Sequence, residues 1–107
     1  MTRPPRRSKP HISPGWSLPD DVLHLLNDPS LNTRDMIELV VVAYSNDHGG
    51  NAPSMAEIAG ILGINKVNVQ RGIDELIAME RAQRIDGKLV IKNSEYSHPL
   101  IKKFHRR

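Results

Sequence analysis

SMAEIAGILGINKVNVQRGIDEL, residues 54–76, describes two short helices and the tight turn between them. Ser54 followed three residues later by Glu57 is a capping box: the serine oxygen accepts from the Glu57 amide, and the glutamate reaches back to the Ser54 amide. A helix therefore starts at Met55. Its apolar residues Met55, Ile58, Ala59 and Leu62 fall at helical spacing, and Gly63 supplies a residue without Cβ where the chain leaves the helix in a left-handed conformation. Asn65 caps a second helix, predicted over 65–79, in which Val69, Ile73 and Leu76 recur on one face. Two helices a few residues apart, the second with an amide-rich front, form the helix-turn-helix arrangement that reads the major groove.

With Val69, Ile73 and Leu76 inward, Val67, Arg71, Asp74 and Ala78 point outward and Asn68 and Gln70 flank them. Asparagine and glutamine can pair bidentately with adenine, a valine can meet a thymine methyl, and Lys66 and Arg71 suit phosphate or guanine. Asp74 is unfavourable beside phosphates, so it belongs beyond the contact zone. The competing reading is a helix face that polar residues merely solvate. Gly72, poor inside a helix, is expected to let the preceding helix approach closely.

Working outward toward the C-terminus, residues 82–85 and 88–92 flank Asp86-Gly87. A two-residue Asp-Gly loop predicts a hairpin, because a type I′ turn needs positive φ at both central positions. Arg84, Lys88 and Lys92 make this hairpin basic, as a wing lying on a nucleic-acid backbone requires.

The run EIAGILGINKVNVQRGIDEL resembles the helix-turn-helix of bacterial winged-helix DNA-binding proteins, in which E-I-A-x-x-L-G-I-S-x-x-T-V-x-R-x-L-x-x-L is a common pattern. Ala52-Pro53-Ser54 in front of it is similar to the corresponding segment of LexA-type repressors, and MarR-type repressors share the module. The longer run AYSNDHGGNAPSMAEIA also resembles winged helices of phage and plasmid replication initiators. The resemblance spans Thr33 to Lys92. Asn65 replaces the usual Ser and keeps the cap, Asn68 stands where Thr is frequent, and Glu80 stands where Gly usually follows the recognition helix. The resemblance implies a winged helix-turn-helix that binds double-stranded DNA, but the module serves repressors, activators and initiators alike.

Toward the N-terminus, Asn32 or Thr33 caps a helix over 33–45. Met36, Ile37, Val40, Val41 and Tyr44 form its first apolar face, and Leu39, Val42 and Ala43 widen it so far that it must be covered on two sides. Pro19 at a first helical position, Asp20 and Asp21 in the first turn, and the stripe Val22, Leu25, Leu26 predict a short helix before it, ending ahead of Pro29. That helix, from this chain or from a symmetry mate, is the expected cover. The loop 46–51, with His48, Gly49 and Gly50, joins the long helix to the helix-turn-helix.

The ends are basic. Arg3, Arg6, Arg7 and Lys9 give the first seventeen residues +4, and Lys102, Lys103, Arg106 and Arg107 give the last six +4, so an overall charge of +3 leaves −5 for the middle. Five of the eight prolines lie in residues 1–19, which precludes a helix before Ser17 and predicts an extended or disordered arm. Trp16 is expected to anchor the base of that arm on the domain, with contact to a nucleic-acid base or a partner as the alternative. Basic arms on an acidic body suit phosphate tracking.

A chain of 107 residues with 4% aromatic content holds one domain with an aliphatic core. No cysteine is present, so disulfides, thiolate nucleophiles and Cys-containing zinc sites are excluded. None of the five histidines lies three or four residues from another, no nucleophile motif frames the serines, and no phosphate-binding glycine loop occurs. The expectation is therefore no enzyme, no cofactor, no metal and no small-molecule site. The longest apolar run, 37–44, is too short for a bilayer and the N-terminus lacks a signal-peptide core, which predicts a cytoplasmic, nucleoid-associated protein without membrane contact.

These readings converge on a mainly α chain with a small β-hairpin: a winged helix-turn-helix with an extra N-terminal helix and basic tails. The expected divisions are an arm over 1–17, the DNA-binding domain over 18–94 and a tail over 95–107. Sequence-selective binding of double-stranded DNA, in a repressor-like regulator and with a homodimer if the site is palindromic, is the expected function. The alternatives are a replication or partition component, or a winged helix used only for protein interaction. These differ at the front of helix 65–79, where DNA needs positive charge and a protein partner an apolar patch.

Overall fold

The computed structural model describes residues 18–92 and 94–105. In chain order these form α1 (Asp20–Leu26), α2 (Thr33–Asp47), α3 (Met55–Leu62), α4 (Lys66–Ala78), β1 (Ala82–Ile85), β2 (Lys88–Ile91) and α5 (Pro99–His105). The described residues are thus mainly helical, with one two-stranded antiparallel sheet among them. Trp16 and the residues of the expected arm lie outside the described residues.

Helix α2 is the axle on which the other helices pack. It is capped by Asn32, whose Oδ1 accepts from the Asp35 N–H at 2.9 Å while Asp35 Oδ2 accepts from the Asn32 N–H at 3.3 Å. The reciprocal pair satisfies two amides that a helix start otherwise leaves orphaned. Every residue from Ile37 to Tyr44 is buried, so the helix is enclosed on more than one side. Ile37 and Val41 join Ile58 of α3, Val69, Ile73 and Leu76 of α4, and Ala82 and Leu89 of the hairpin in one cluster. Leu39, Val42 and Ala43 join Val22, Leu31, Ile101 and Phe104 in another. At about 100° per residue the two sets lie on opposite sides of the helix.

The second cluster confirms that α1 of the same chain covers the widened face, with Val22 fully buried and Leu25 and Leu26 packed at its edge. Pro19 stands one place earlier than expected, as the residue before the helix. The larger difference is at the C-terminus. Residues 95–107 are not simply a basic tail, because Pro99–His105 form α5 and bury Ile101 and Phe104 against α2. Proline suits a first helical position, where its missing N–H would have had no partner. His98 completes the start: its Nδ1 accepts from the Leu100 N–H at 3.1 Å, which leaves Nε2 as the protonated nitrogen facing Ser30 Oγ, 3.1 Å away. The charge bias of the last residues conceals a short amphipathic helix.

Candidate nucleic-acid interface

Helix α3 begins with the expected box: the Ser54 N–H donates to Glu57 Oε1 at 2.8 Å and the Glu57 N–H to Ser54 Oγ at 3.1 Å. Glu57 is buried, and its other oxygen accepts from the Tyr44 hydroxyl at 3.2 Å, tying the start of α3 to α2. Gly63, at φ 69°, turns the chain so that the Ile64 N–H bonds back to the Ala59 carbonyl at 3.1 Å. Asn65 then caps α4 by accepting from the Asn68 N–H at 2.9 Å.

Helix α4 buries Val69, Gly72, Ile73 and Leu76. Gly72 does permit a close approach, but the neighbour is α2 rather than α3. A Cβ at Gly72 would sit 2.3 Å from Ile37 Cδ1, so α2 and α4 cross there. Lys66, Val67, Asn68 and Arg71 are exposed on the opposite face, with Val67 at 65%. Polar and cationic side chains therefore occupy the first half of the outer face, and Asp74 and Glu75 the second half. Gln70 differs from the expectation of a free reading group. It is half-buried, and its Nε2 donates to Asp74 Oδ1 at 2.8 Å, an i,i+4 bond that occupies its amide. Asp74 is held by the same bond, and Glu75 pairs with Arg34 at 3.2 Å.

The chain leaves α4 through Glu80, which has φ 60°. This is the position where the resembled family has glycine. A side chain in that conformation costs roughly 1–2 kcal/mol, offset here by two bonds that close the helix end, Glu80 N–H to Ile77 O at 3.0 Å and Arg81 N–H to Leu76 O at 2.8 Å. The hairpin follows in the expected register, Ala82 opposite Ile91 and Ile85 opposite Lys88. Asp86 at φ 53° and Gly87 at φ 80° give both positive values that the two-residue turn demands. Arg84 and Lys88 are exposed and line a crevice between the hairpin and the segment 51–55 that leads into α3. Lys92 is exposed just after β2.

The remaining expected DNA-binding residues do not gather here. Lys102 is half-buried, with Nζ 3.4 Å from the Glu95 carbonyl, and Lys103 is exposed. Both sit on α5, across α2 from α4, because the two helices belong to the opposite clusters. Arg3, Arg6, Arg7 and Lys9 lie outside the described residues.

Behind this surface is a polar cluster that sequence reading missed. Arg81 is 1% exposed. Its Nε donates to Glu38 Oε1 at 2.7 Å and its Nη2 to Asp35 Oδ1 at 2.8 Å, and Nη2 also pairs closely with Glu38. Glu38 Oε2 accepts from Ser97 Oγ at 2.8 Å and lies 2.9 Å from His105 Nε2. The only signal in the sequence is Glu38 interrupting an apolar run, since a carboxylate inside a buried helix needs a cation.

Comparison of the chain with family models, curated proteins and solved structures finds no match. Among the described residues, no helix is long and apolar enough to cross a membrane, and no three or more His, Asp or Glu side chains gather as a metal site.

Proposed function

We propose that the chain is a winged helix-turn-helix that binds double-stranded DNA sequence-selectively, with α4 in the major groove and the hairpin along the backbone. The observation that carries this is the division of α4: one face is locked into the core by Val69, Ile73 and Leu76, and the other presents Lys66, Val67, Asn68 and Arg71 at its leading end. Such a helix enters a groove as a rigid element, and it is the N-terminal part of a recognition helix that meets base edges. Asn68 and Arg71 are suited to adenine and guanine, Val67 to a thymine methyl, and Arg84, Lys88 and Lys92 to phosphates. A protein-interaction surface would need an apolar patch. Val67 and Ile85 are the exposed large hydrophobics of α4 and the hairpin, and charged or amide neighbours surround both in sequence. Among the roles that the resembled module serves, repressor, activator and replication initiator, we propose repressor-like transcriptional regulation.

Selection of binding sites from random duplexes tests the reading. A defined motif should be enriched, and Asn68→Ala should lower discrimination at one base pair by ~1–3 kcal/mol while thermal stability stays unchanged. Gln70→Ala should do less, since its amide is already bonded to Asp74. Failure to enrich any motif, or an unchanged preference in a folded Asn68→Ala variant, removes α4 as the reader.

A further inference from the structure

We infer that Arg81 is a positioning residue for DNA binding, fixing the angle between the hairpin and α4 through its clamp on α2; this rests on the DNA-binding reading above. The residue bonds to all three elements. Its N–H holds the end of α4 through Leu76 O, at 2.8 Å, and its carbonyl accepts from the Lys92 N–H, also at 2.8 Å, at the far end of β2. Its guanidinium meanwhile grips α2 through Glu38 and Asp35. Rotation of the hairpin about the end of α4 must move this backbone, and with it two charge-assisted bonds at a site closed to water.

Apolar packing alone would allow such a rotation, because it is non-directional. A guanidinium bonded through two nitrogens to two carboxylates tolerates little angular error. The stabilising value of such a cluster is a weaker explanation, since desolvation offsets most of the attraction between buried charges. Glu38 is in turn held from behind by Ser97 and His105. The C-terminal segment thereby supports the hairpin through Glu38. With the angle fixed, Arg84 and Lys88 reach phosphates while Asn68 and Arg71 reach bases of the same duplex.

The test separates orientation from stability. In the full-length variant Arg81→Met/Glu38→Gln no charge is left unpaired at position 38, Asp35 keeps Arg34 at 3.9 Å and the Asn32 N–H at 3.3 Å, and the glutamine keeps partners for Ser97 and His105. Residual dipolar couplings of backbone amides should still fit the native arrangement for α2, α3 and α4, but should no longer fit for residues 82–91. Affinity for the duplex selected by the native chain should fall at least tenfold, with a log-log salt slope shallower by about 0.9 for each phosphate that the hairpin no longer neutralises. Arg81→Lys, which keeps the cation but not the fork, should shift the hairpin couplings in the same sense and by less. Native couplings for 82–91 in a folded double variant overturn the inference, as does unfolding of both variants, which would make the cluster a stability element. If the native chain selects no duplex, the DNA reading falls, and the couplings still decide whether Arg81 sets the angle.

Discussion

The two sides of α2 are closed by different kinds of structure. On the side of Ile37 and Val41, three elements adjacent in sequence, α3, α4 and the hairpin, supply the partners. On the side of Leu39, Val42 and Ala43, the partners come from opposite ends of the described chain, α1 before the helix and α5 some sixty residues after Leu39. The first side displays the proposed DNA surface and is built from local signals of caps, turn glycines and a hairpin loop. The second displays no candidate DNA-binding residue beyond Lys102 and Lys103 and depends on long-range closure. Arg81 and Glu38 join the two, since the carboxylate that holds the α4–β1 corner is also held by Ser97 and His105. On the positioning role inferred for Arg81, the supporting side of the domain sets the geometry of its displayed side.

Breaking that junction should have the largest effect. Arg81→Met alone takes the guanidinium away from two buried carboxylates, Glu38 and Asp35, and should cost about 3–5 kcal/mol in denaturant unfolding, well beyond the cost for the double variant. Next is the closure itself. Ile101 is fully buried, so Ile101→Ala should destabilise the chain by ~2–5 kcal/mol; an effect near zero would make the C-terminal segment the loose tail that its charge suggests. Leu25→Ala sharpens the comparison at the edge of the same side. Leu25 is only half-buried, and the loss measured by thermal unfolding should fall below the ~2 kcal/mol at which full burial begins.

The smallest expected effect concerns the link between the α1–α2 turn and α5. The Ser30 hydroxyl, 2.5 Å from Asp28 Oδ1, and the Ser30 N–H, at 2.8 Å, hold the Asp28 carboxyl below its ordinary value, in that order of importance. A depressed carboxylate contributes stability that is fully present above its unfolded-state pKa and is lost as pH falls through the folded one. Ser30→Ala should raise the Asp28 pKa toward the usual range in a carbon-detected NMR titration and leave stability at neutral pH nearly unchanged. An unmoved Asp28 titration would show that Ser30 does not set it.

Much of the displayed side is legible in the sequence because its determinants are local. Ser54 with Glu57, Gly63, Asn65 and Asp86-Gly87 each act within a few residues, and each takes the expected conformation. Gln70 departs from expectation because helical spacing gives the direction of a side chain but not whether Asp74, one turn on, already holds its amide. Gly72 is a point of close approach, as its place inside a helix implies, but to α2 instead of α3, since which helix crosses there depends on the packing angle rather than on spacing.

The sequence alone determined the order and approximate limits of α1 to α4, the hairpin and its turn, and the need for two covers on α2, because caps, turn residues and apolar periodicity are short-range codes. Tertiary structure decided the rest. Pro99–His105 become a helix only because α2 offers Ile101 and Phe104 an apolar face, a segment of seven residues being too short to hold helical form by itself. Arg81 becomes a buried clamp only because Glu38 and Asp35, 43 and 46 residues earlier, are brought to it by the fold. Glu38 inside an apolar run signals the need for a cation, but residues that distant in sequence do not show which cation will meet it, and their attraction becomes strong only once water has been removed around them.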